Sequence, residues 1–112
     1  MMVGCIFCKI INKEIKTDLV YEDDKFIAFN DISPVAPLHL LIIPKKHIES
    51  INHLAKKDRE LVGELFLTAQ KIAKEQKVDQ TGYRLIINVG KDAGQTVSHL
   101  HLHLLGRKEL PM

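Results

Sequence analysis

Hydrophobic residues recur along the chain with a helical period in two segments. Over 58–76 they return every three or four positions, opposite lysines and a glutamate, which predicts one long amphipathic helix. Its buried face is predicted to hold Leu61, Val62, Leu65, Phe66, Ala69, Ile72 and Ala73. The same spacing over 5–12 predicts a short amphipathic helix near the start of the chain.

Five other segments carry apolar runs or strict alternation and predict β-strands. They are 19–22, 26–29, 39–43, 83–89 and 99–105. Asp23 and Asp24 mark a turn between the first two, and Pro34 and Pro37 enforce an extended, irregular loop after the second. Strands dominate and one long helix separates two of them, which predicts an α+β fold with a mostly antiparallel sheet.

Length and composition narrow the classes of protein that the chain can represent. With 46% hydrophobic and 27% charged residues, all 112 residues are predicted to form one globular domain, 1–112. A net charge of +2 is too small to indicate stable binding to nucleic acid. The apolar residues near the N-terminus are interrupted by polar ones, so no secretion signal or membrane span is expected and a cytoplasmic location is predicted.

The segment HLHLHLL, residues 99–105, is the most informative part of the sequence. Because side chains alternate across a strand, the leucines are predicted to point to the core and His99, His101 and His103 to the opposite face. Imidazoles titrate near neutral pH and seek partners at both nitrogens, so a functional role is favoured over a solvated face. Two roles fit: three ligands for a catalytic metal, or a nucleophile with supporting histidines.

A glycine-bearing loop lies immediately before these histidines and favours the second role. Gly90 and Gly94 let backbone N–H groups approach an anion closely, and Thr96 adds a hydroxyl donor. Such a phosphate cradle, leading directly into a row of imidazoles, suits phosphoryl chemistry. Glycine loops are common in proteins, so this evidence gains its weight from the histidines beside it.

The motif at 99–105 fits the His-φ-His-φ-His-φ-φ signature, where φ is apolar, and through it the chain resembles the histidine-triad superfamily. Three segments are similar to the Hint branch of that superfamily: CIFCKII, FIAFNDISPVAPLHLLIIPKKHI and NVGKDAGQTVSHLHLHLLG. They follow one another from Cys5 to Gly106, nearly the whole chain. The resemblance implies a five-stranded, mostly antiparallel sheet with one long and one short helix.

The resemblance also implies an activity and assigns residues to it. Family members bind purine nucleotides such as AMP or GMP and cleave nucleoside phosphoramidates or aminoacyl adenylates, without an organic cofactor. His101 matches the nucleophile that forms a covalent nucleotidyl intermediate, His103 the histidine that assists the leaving group, and His39 the histidine that supports the nucleophile. The matching nucleotide-binding positions are Asp31 for the ribose, Gly94, Gln95 and Thr96 in the phosphate loop, Asn88 just before that loop, and Ile32, Phe7 and Ile11 for the base.

Cys5 and Cys8 have the spacing of metal ligands, but they supply only two of the four that zinc prefers. On spacing alone, a redox pair and two buried free thiols stay open as alternatives. Some histidine-triad proteins bind structural zinc with this motif, and there the other ligands match His47 and His99. The resemblance therefore implies a structural Zn²⁺ site beside the catalytic histidines.

The resemblance further implies a homodimer joined through the long helix and the strand at 83–89. The end of the chain, LLGRKELPM, departs from the Hint branch because it lacks the double glycine and the tryptophan-containing tail that shapes leaving-group specificity there. The preferred leaving group therefore stays open. The alternative functions are dinucleoside polyphosphate hydrolysis or nucleotidyl transfer, a tri-histidine metallohydrolase, and a nucleotide-binding or scaffolding protein with little catalysis.

Overall fold

A five-stranded sheet forms the centre of the computed structural model, which describes residues 5–111. The strands are β1 (Leu19–Glu22), β2 (Phe26–Asn30), β3 (Leu38–Pro44), β4 (Tyr83–Ile86) and β5 (Leu102–Gly106). They lie in the order β1-β2-β3-β5-β4, and each neighbouring pair is antiparallel. The predicted α+β class, with a five-stranded antiparallel sheet, is confirmed.

Two α-helices accompany the sheet, as the helical periods predict. The short helix α1 (Ile6–Ile11) precedes all the strands, and the long helix α2 (Arg59–Glu75) lies between β3 and β4 in the chain. Neither helix is long and apolar enough to cross a membrane, and the same holds throughout residues 5–111.

The buried stripe of α2 agrees with the prediction in its central and C-terminal part, whereas Leu61 and Val62, near the start of the helix, are only half-buried. Its buried side chains are Leu65, Thr68, Ala69, Ile72 and Ala73. Phe66, predicted to be buried, is 43% exposed. Successive helical residues are about 100° apart, which places Phe66 at the edge of the stripe, beside the still more exposed Leu67.

Alternation along the strands builds a separate apolar layer on each face of the sheet. The face covered by α2 consists of Phe26, Ala28, Leu38, Leu40, Ile42, Leu102 and Leu104. The face covered by α1 consists of Ile27, Phe29, Leu41 and Ile43, which pack with Phe7 and Ile10 of the helix. Because both faces are covered, every residue of β3 is buried, and this explains its continuous apolar sequence.

Two strands are shorter in the structure than the sequence predicts. β4 ends at Ile86, and β5 begins at Leu102 rather than at His99. The N–H of Leu100 bonds the carbonyl of Ile48 at 2.6 Å and so cannot extend the ladder between β3 and β5. The segment that carries the first two triad histidines is therefore irregular, and its backbone groups are available for other contacts.

Candidate functional site

A cavity of about 750 Å³ lies on the α1 face of the sheet, within the usual size range for small-molecule sites. Eight residues predicted for the nucleotide site line it: Phe7, Asp31, Ile32, Asn88, Gly94, Thr96, His101 and His103. Much of the remaining wall is apolar and is formed by Ile6, Ile10, Ile15, Phe29, Leu41 and Val97. A largely apolar cleft with a few convergent polar groups is the usual form of a site for a small organic ligand.

The imidazole of His101 is held in one tautomer by the backbone. Its Nδ1 lies 2.7 Å from the carbonyl oxygen of His99. A carbonyl can only accept, so Nδ1 carries the proton and donates it, and the neutral ring keeps a lone pair on Nε2. The residue is 6% exposed and lines the cavity, so a nucleophilic or basic nitrogen belongs to the cavity wall.

His39 and His103 are linked by hydrogen bonds whose donors and acceptors fix the position of the proton on each ring. The N–H of Val35 donates to Nδ1 of His39 at 3.1 Å, so the proton of a neutral His39 ring must lie on Nε2. That Nε2–H donates to Nδ1 of His103 at 2.9 Å. The proton of a neutral His103 ring then lies on its own Nε2, which has no hydrogen-bond partner among residues 5–111.

Burial keeps the imidazole rings of His39 and His103 neutral. It lowers the pKa of His103 to about 4, assisted by the nearby His101 and His39 rings. It also lowers the pKa of His39, against the opposing attraction of Asp31. His103 therefore presents an N–H donor rather than a cation at pH 7. A buried donor without a partner, on a residue that lines a cavity, is available to a bound ligand.

The position of His39 differs from the one that the resemblance implied. Its ring contacts His103 and not the expected nucleophile His101. The group behind His101 is instead the backbone carbonyl of His99. The alternation of β3 and β5 explains this arrangement, because Leu41 lies opposite His103 in the ladder and His39 is on the same face two residues before it.

The loop between β4 and β5 depends on two glycines with left-handed backbone angles. Gly90 has a φ of 82° and Gly94 a φ of 87°, values that strain other residues. The predicted phosphate contact Gln95 does not line the cavity. Its Oε1 accepts the N–H of Gly90 at 2.9 Å and its Nε2 donates to the carbonyl of Glu49 at 2.7 Å. Gln95 therefore holds the loop in shape, while Gly94 and Thr96 border the cavity.

Asp31 brings a carboxylate to the cavity immediately after β2. One of its oxygens accepts the N–H of Ser33 at 2.8 Å, and the other lies 3.5 Å from Nε2 of His39. Next to it, Ile32 is 98% exposed and lines the same cavity. This corner therefore combines a hydrogen-bond acceptor with an uncovered apolar surface.

The predicted base contact Ile11 lies outside the cavity lining and packs instead on the apolar layer beneath α1. Ile6 and Ile10 take its place in the wall, together with Phe7. Residues four apart share a helix face, as these two isoleucines do. Phe29 completes the wall from β2, and its ring meets that of Phe7 edge-on at 5.6 Å.

Four potential metal ligands converge on one side of this site. Cys5, Cys8, His47 and His99 each offer an atom within 4.8 Å of the others. The Sγ of Cys8 lies 3.2 Å from Nδ1 of His47, the two imidazole Nδ1 atoms are 3.1 Å apart, and the Sγ of Cys5 lies 3.5 Å from Nδ1 of His99. Zinc–ligand bonds of about 2.0–2.3 Å give tetrahedral edges of roughly 3.3–3.8 Å, and these three separations lie within about 0.2 Å of that range.

The hydrogen bonds of the cluster also fit a metal. Nε2 of His99 lies 2.8 Å from the carbonyl of Pro44, so it carries the ring proton and leaves Nδ1 with a lone pair directed at the other ligands. Burial raises the pKa of the Cys8 thiol to about 11, with a further contribution from Cys5. The positive charge of a bound cation would offset the cost of ionising such a thiol. The four side chains could therefore hold a metal ion.

The three triad histidines do not converge on one ion. The ring of His99 belongs to the cysteine cluster, whereas His103 groups with Asp31 and His39. Within that second group, the 2.9 Å contact between His39 and His103 is accounted for by a hydrogen bond between two neutral rings. Among residues 5–111, this geometry does not support the tri-histidine metal centre considered as an alternative.

Comparison with known proteins identifies the family of this chain. The family model described as "Scavenger mRNA decapping enzyme C-term binding" matches residues 4–111. A histidine triad protein from Clostridium difficile superposes with a TM-score of 0.96 at 50% identity, covering 100% of this chain and 97% of its own. The chain belongs to the histidine-triad family.

Further members of the family resemble the chain over nearly its full length. The purine nucleoside phosphoramidase of Escherichia coli strain K12 is 46% identical over 105 residues, which are 94% of this chain and 88% of that protein. Protein HitA of Neisseria gonorrhoeae is 48% identical over 105 residues, 94% of this chain and 97% of its own. A HIT family hydrolase from Legionella pneumophila superposes with a TM-score of 0.94 at 47% identity, covering 96% of each chain.

For this histidine-triad chain, the partner of each histidine was not predictable from the motif. The motif indicates which residues are histidines on one face. It does not indicate that the Val35 N–H orients His39 or that the His99 carbonyl orients His101. Both contacts depend on the path of irregular backbone, which has no periodic signal in the sequence.

Proposed function

We propose that this protein is a purine-nucleotide hydrolase that cleaves nucleoside phosphoramidates or aminoacyl adenylates through a covalent intermediate on His101. The observation that carries the proposal is the 2.7 Å bond between Nδ1 of His101 and the His99 carbonyl. It leaves Nε2 as the nucleophilic nitrogen of a ring that lines a cavity of nucleotide size. The name of the Escherichia coli relative, purine nucleoside phosphoramidase, supports the substrate class.

The proposed reaction has two steps. In the first, Nε2 of His101 attacks the α-phosphorus, the bond from phosphorus to the leaving group breaks, and the departing nitrogen or oxygen, which accepts a hydrogen bond from the Nε2–H of the neutral His103 ring, takes a proton from solvent. In the second, water attacks the phosphorus, the P–N bond to His101 breaks, and the proton of the water passes to solvent. The free nucleoside monophosphate then leaves. Alignment of the phosphorus with one fixed nitrogen supplies much of the rate gain.

The remaining cavity residues suit the rest of such a substrate. Asp31 would accept the ribose hydroxyls, while Gly94, Thr96 and Asn88 would bind the phosphate. Ile6, Phe7, Ile10, Phe29 and Ile32 would hold the purine ring between apolar surfaces. His39 would act through His103, because its Nε2–H fixes the tautomer that presents the His103 proton.

Replacement of His101 tests the proposal most directly. In His101→Gln, turnover of an adenosine phosphoramidate should fall roughly 10³-fold or more because no nitrogen can accept the nucleotide. AMP binding, measured by calorimetry, should persist within a small factor. Mass spectrometry of wild-type protein quenched in alkaline denaturant, in which a P–N bond to histidine survives, should find one nucleotidyl group on His101. Undiminished turnover in the variant would contradict the proposal.

A matched control lies elsewhere on the chain. His53 is outside the cavity lining, and its ring nitrogens contact the nearby Ser50 and Glu49. His53→Gln should leave turnover unchanged. Inversion at a chiral α-phosphorus would also contradict a covalent intermediate, because two displacements return the original configuration.

We also propose that the cysteine–histidine cluster holds a structural Zn²⁺. Two thiolates and two imidazoles form a common tetrahedral zinc set, and the separations of the four atoms suit it. The ion would stabilise α1 against the sheet by joining Cys5 and Cys8 to His47 and His99. Metal analysis of protein purified without added metal tests this, with one zinc per chain as the expected result.

A homodimer through α2 and the segment 83–89 completes the proposal. β4 is an edge strand of the sheet, and α2 exposes Phe66 and Leu67, at 43% and 64%. Unpaired edges and exposed apolar surface are both suited to self-association. The side chain of Arg84 donates to the carbonyls of Leu110 and Pro111, which holds the short C-terminal tail beside the same edge. Sedimentation at several concentrations measures the association.

A further inference from the structure

The cysteine–histidine cluster and the cavity share the helix α1. Cys5 precedes the helix and its Sγ accepts the N–H of Cys8 at 3.3 Å, so both thiols lie at the helix N-terminus. The side chains of Ile6, Phe7 and Ile10 from the same six residues form a cavity wall. A helix of six residues is too short to be stable alone, so its position depends on what its side chains contact.

His99 connects the cluster to the proposed nucleophile through two different groups of one residue. Its ring nitrogen Nδ1 faces the sulfur atoms, and its backbone carbonyl accepts the Nδ1–H of His101. The ring is fully buried and is tied to the carbonyl of Pro44 at 2.8 Å. A shift of this ring would therefore move the acceptor that fixes the tautomer of His101.

Phe7 provides a second connection. Its ring meets the ring of His101 edge-on, with centroids 5.2 Å apart and planes at 86°. It meets the ring of His99 at 5.9 Å and 71°. Because Phe7 lies between the two cysteines in the chain, the ligand positions determine where its ring rests against the nucleophile.

The phosphate-binding side of the cavity is connected as well. Following His47 in the chain, Ile48 accepts the N–H of Leu100 at 2.6 Å and Glu49 accepts the side-chain N–H of Gln95 at 2.7 Å. Gln95 in turn maintains the bend at Gly90. The segment that supplies His47 is therefore tied to the loop that borders the cavity.

The other apolar layer does not share these contacts. The layer between the sheet and α2 contains residues of β2, β3 and β5 but none from α1. Loss of the cluster would therefore release α1 and the loop while the sheet and α2 keep their packing. This separation distinguishes a local effect on the cavity from unfolding of the protein.

We propose that the cysteine–histidine cluster, when it holds its metal, positions both the His101 imidazole and the α1 wall of the nucleotide cavity. His99 and Phe7 are the positioning residues, and metal and nucleotide consequently raise each other's affinity. This rests on the proposed function, because it requires a nucleotide in the cavity. Coupling between sites is reciprocal, so each ligand must change the affinity of the other by one common factor.

The test uses the full chain with Zn²⁺ and AMP as the two probes. Calorimetry should show AMP binding about fivefold or more tighter to zinc-loaded protein than to protein stripped by a chelator. A competing chromophoric chelator should report a gain in zinc affinity of the same factor when AMP is saturating. In protein labelled with ¹⁵N-histidine, the Nδ1–H signal of His101 should exchange faster with solvent after zinc removal.

A pair of matched substitutions locates the connection. Phe7→Leu keeps all four metal ligands and should reduce the factor by which zinc raises AMP affinity. Phe26→Leu makes the same change in the layer under α2 and should leave that factor as in the wild type. The factor is a ratio within each variant, so a general weakening of AMP binding by Phe7→Leu does not enter it.

The possible negative results distinguish failure of the proposed function from failure of the positioning role. If zinc-loaded protein binds no AMP, the proposed function is wrong. If AMP binds equally well with and without zinc, or if no zinc binds, the positioning role is wrong and the proposed function stands. If stripping zinc abolishes the circular dichroism of the whole sheet, the coupling is global unfolding, and the local positioning role is again wrong.

Discussion

The two faces of the sheet are built from the same strands but are filled by different chemistry. On the α2 face, β3 and β5 present aliphatic side chains such as Leu40, Ile42 and Leu104, each at most 1% exposed. On the α1 face, the same strands present His39 and His103 beside aliphatic neighbours. The first face is completed by a long helix, and the second by a six-residue helix and a cavity.

The difference shows what each face requires of its residues. Aliphatic side chains need only close contact, because the hydrophobic effect has no direction. Each nitrogen of an imidazole needs a hydrogen-bond partner in a specific direction. Here the backbone supplies two such partners, the Val35 N–H for His39 and the His99 carbonyl for His101. The α1 face is packed less completely because it holds a cavity, and the Nε2–H of His103, which has no protein partner among residues 5–111, is a group that a substrate can use.

The largest effect is expected from truncating a buried side chain on the α2 face. Leu104→Ala should lower the free energy of unfolding by about 2–5 kcal/mol, because the side chain is fully buried between the sheet and α2. At a temperature where the variant is folded, kcat should remain close to that of the wild type, since the side chain points away from the cavity. Urea unfolding and steady-state kinetics measure the two quantities.

Leu67→Ala on the exposed side of α2 is the control for that substitution. The same atoms are removed, but the side chain is 64% exposed, so the cost should be only a few tenths of a kcal/mol. The measurement is made at low protein concentration, where self-association through this face contributes little. An equal cost in both variants would contradict the burial assigned to the two faces.

Much of this division could be predicted from the sequence. The alternation HLHLHLL assigns Leu102 and Leu104 to one face and His103 to the other, and the helical period of 58–76 supplies the cover for the leucines. The DISPVAP loop and the histidine motif carry the family resemblance that the comparisons confirm. Periodic patterns succeed here because each describes contacts that repeat along a regular element.

The features that could not be predicted from the sequence depend on contacts between distant, irregular segments. The start of β5 is determined by Leu100, whose N–H turns to Ile48, and no local signal marks that exchange. Gln95 was assigned to phosphate through the family resemblance, but its amide is occupied by Gly90 and Glu49. Such long-range partners become evident only when the chain is folded, because they have no periodicity in the sequence.

Acid should lower the free energy of unfolding through the buried histidines of the α1 face. The pKa of His103 is 6.5 in an ordinary setting and about 4 in the fold, because burial opposes its charge. Between these values only the unfolded chain binds the proton. Stability is therefore complete above pH 6.5 and falls as the pH drops towards 4, by at most about 1.4 kcal/mol per pH unit for one group. Burial lowers the pKa of His39 too, which adds in the same direction.

Urea unfolding at pH 7, 6 and 5 measures this dependence, and His103→Gln is the comparison. Glutamine does not titrate, so the variant should lose stability less steeply with acid than the wild type, whatever its stability at pH 7. Groups remote from His103 titrate alike in both proteins and cancel in the difference. Identical slopes would mean that the folded protein binds the His103 proton as readily as the unfolded chain does.

A substitution with a smaller expected effect distinguishes substrate binding from the chemical step on the α1 face. Asp31→Asn keeps an oxygen for the Ser33 N–H but removes the charge proposed to bind the ribose hydroxyls. Loss of a charge-assisted hydrogen bond should raise KM about tenfold, with kcat reduced by less, because the sugar is remote from the phosphorus. Asp79→Asn, at an exposed position outside the cavity lining, is the control and should change neither constant. An effect of Asp31→Asn on kcat alone would instead mean that its 3.5 Å approach to His39 governs the protonation of that ring.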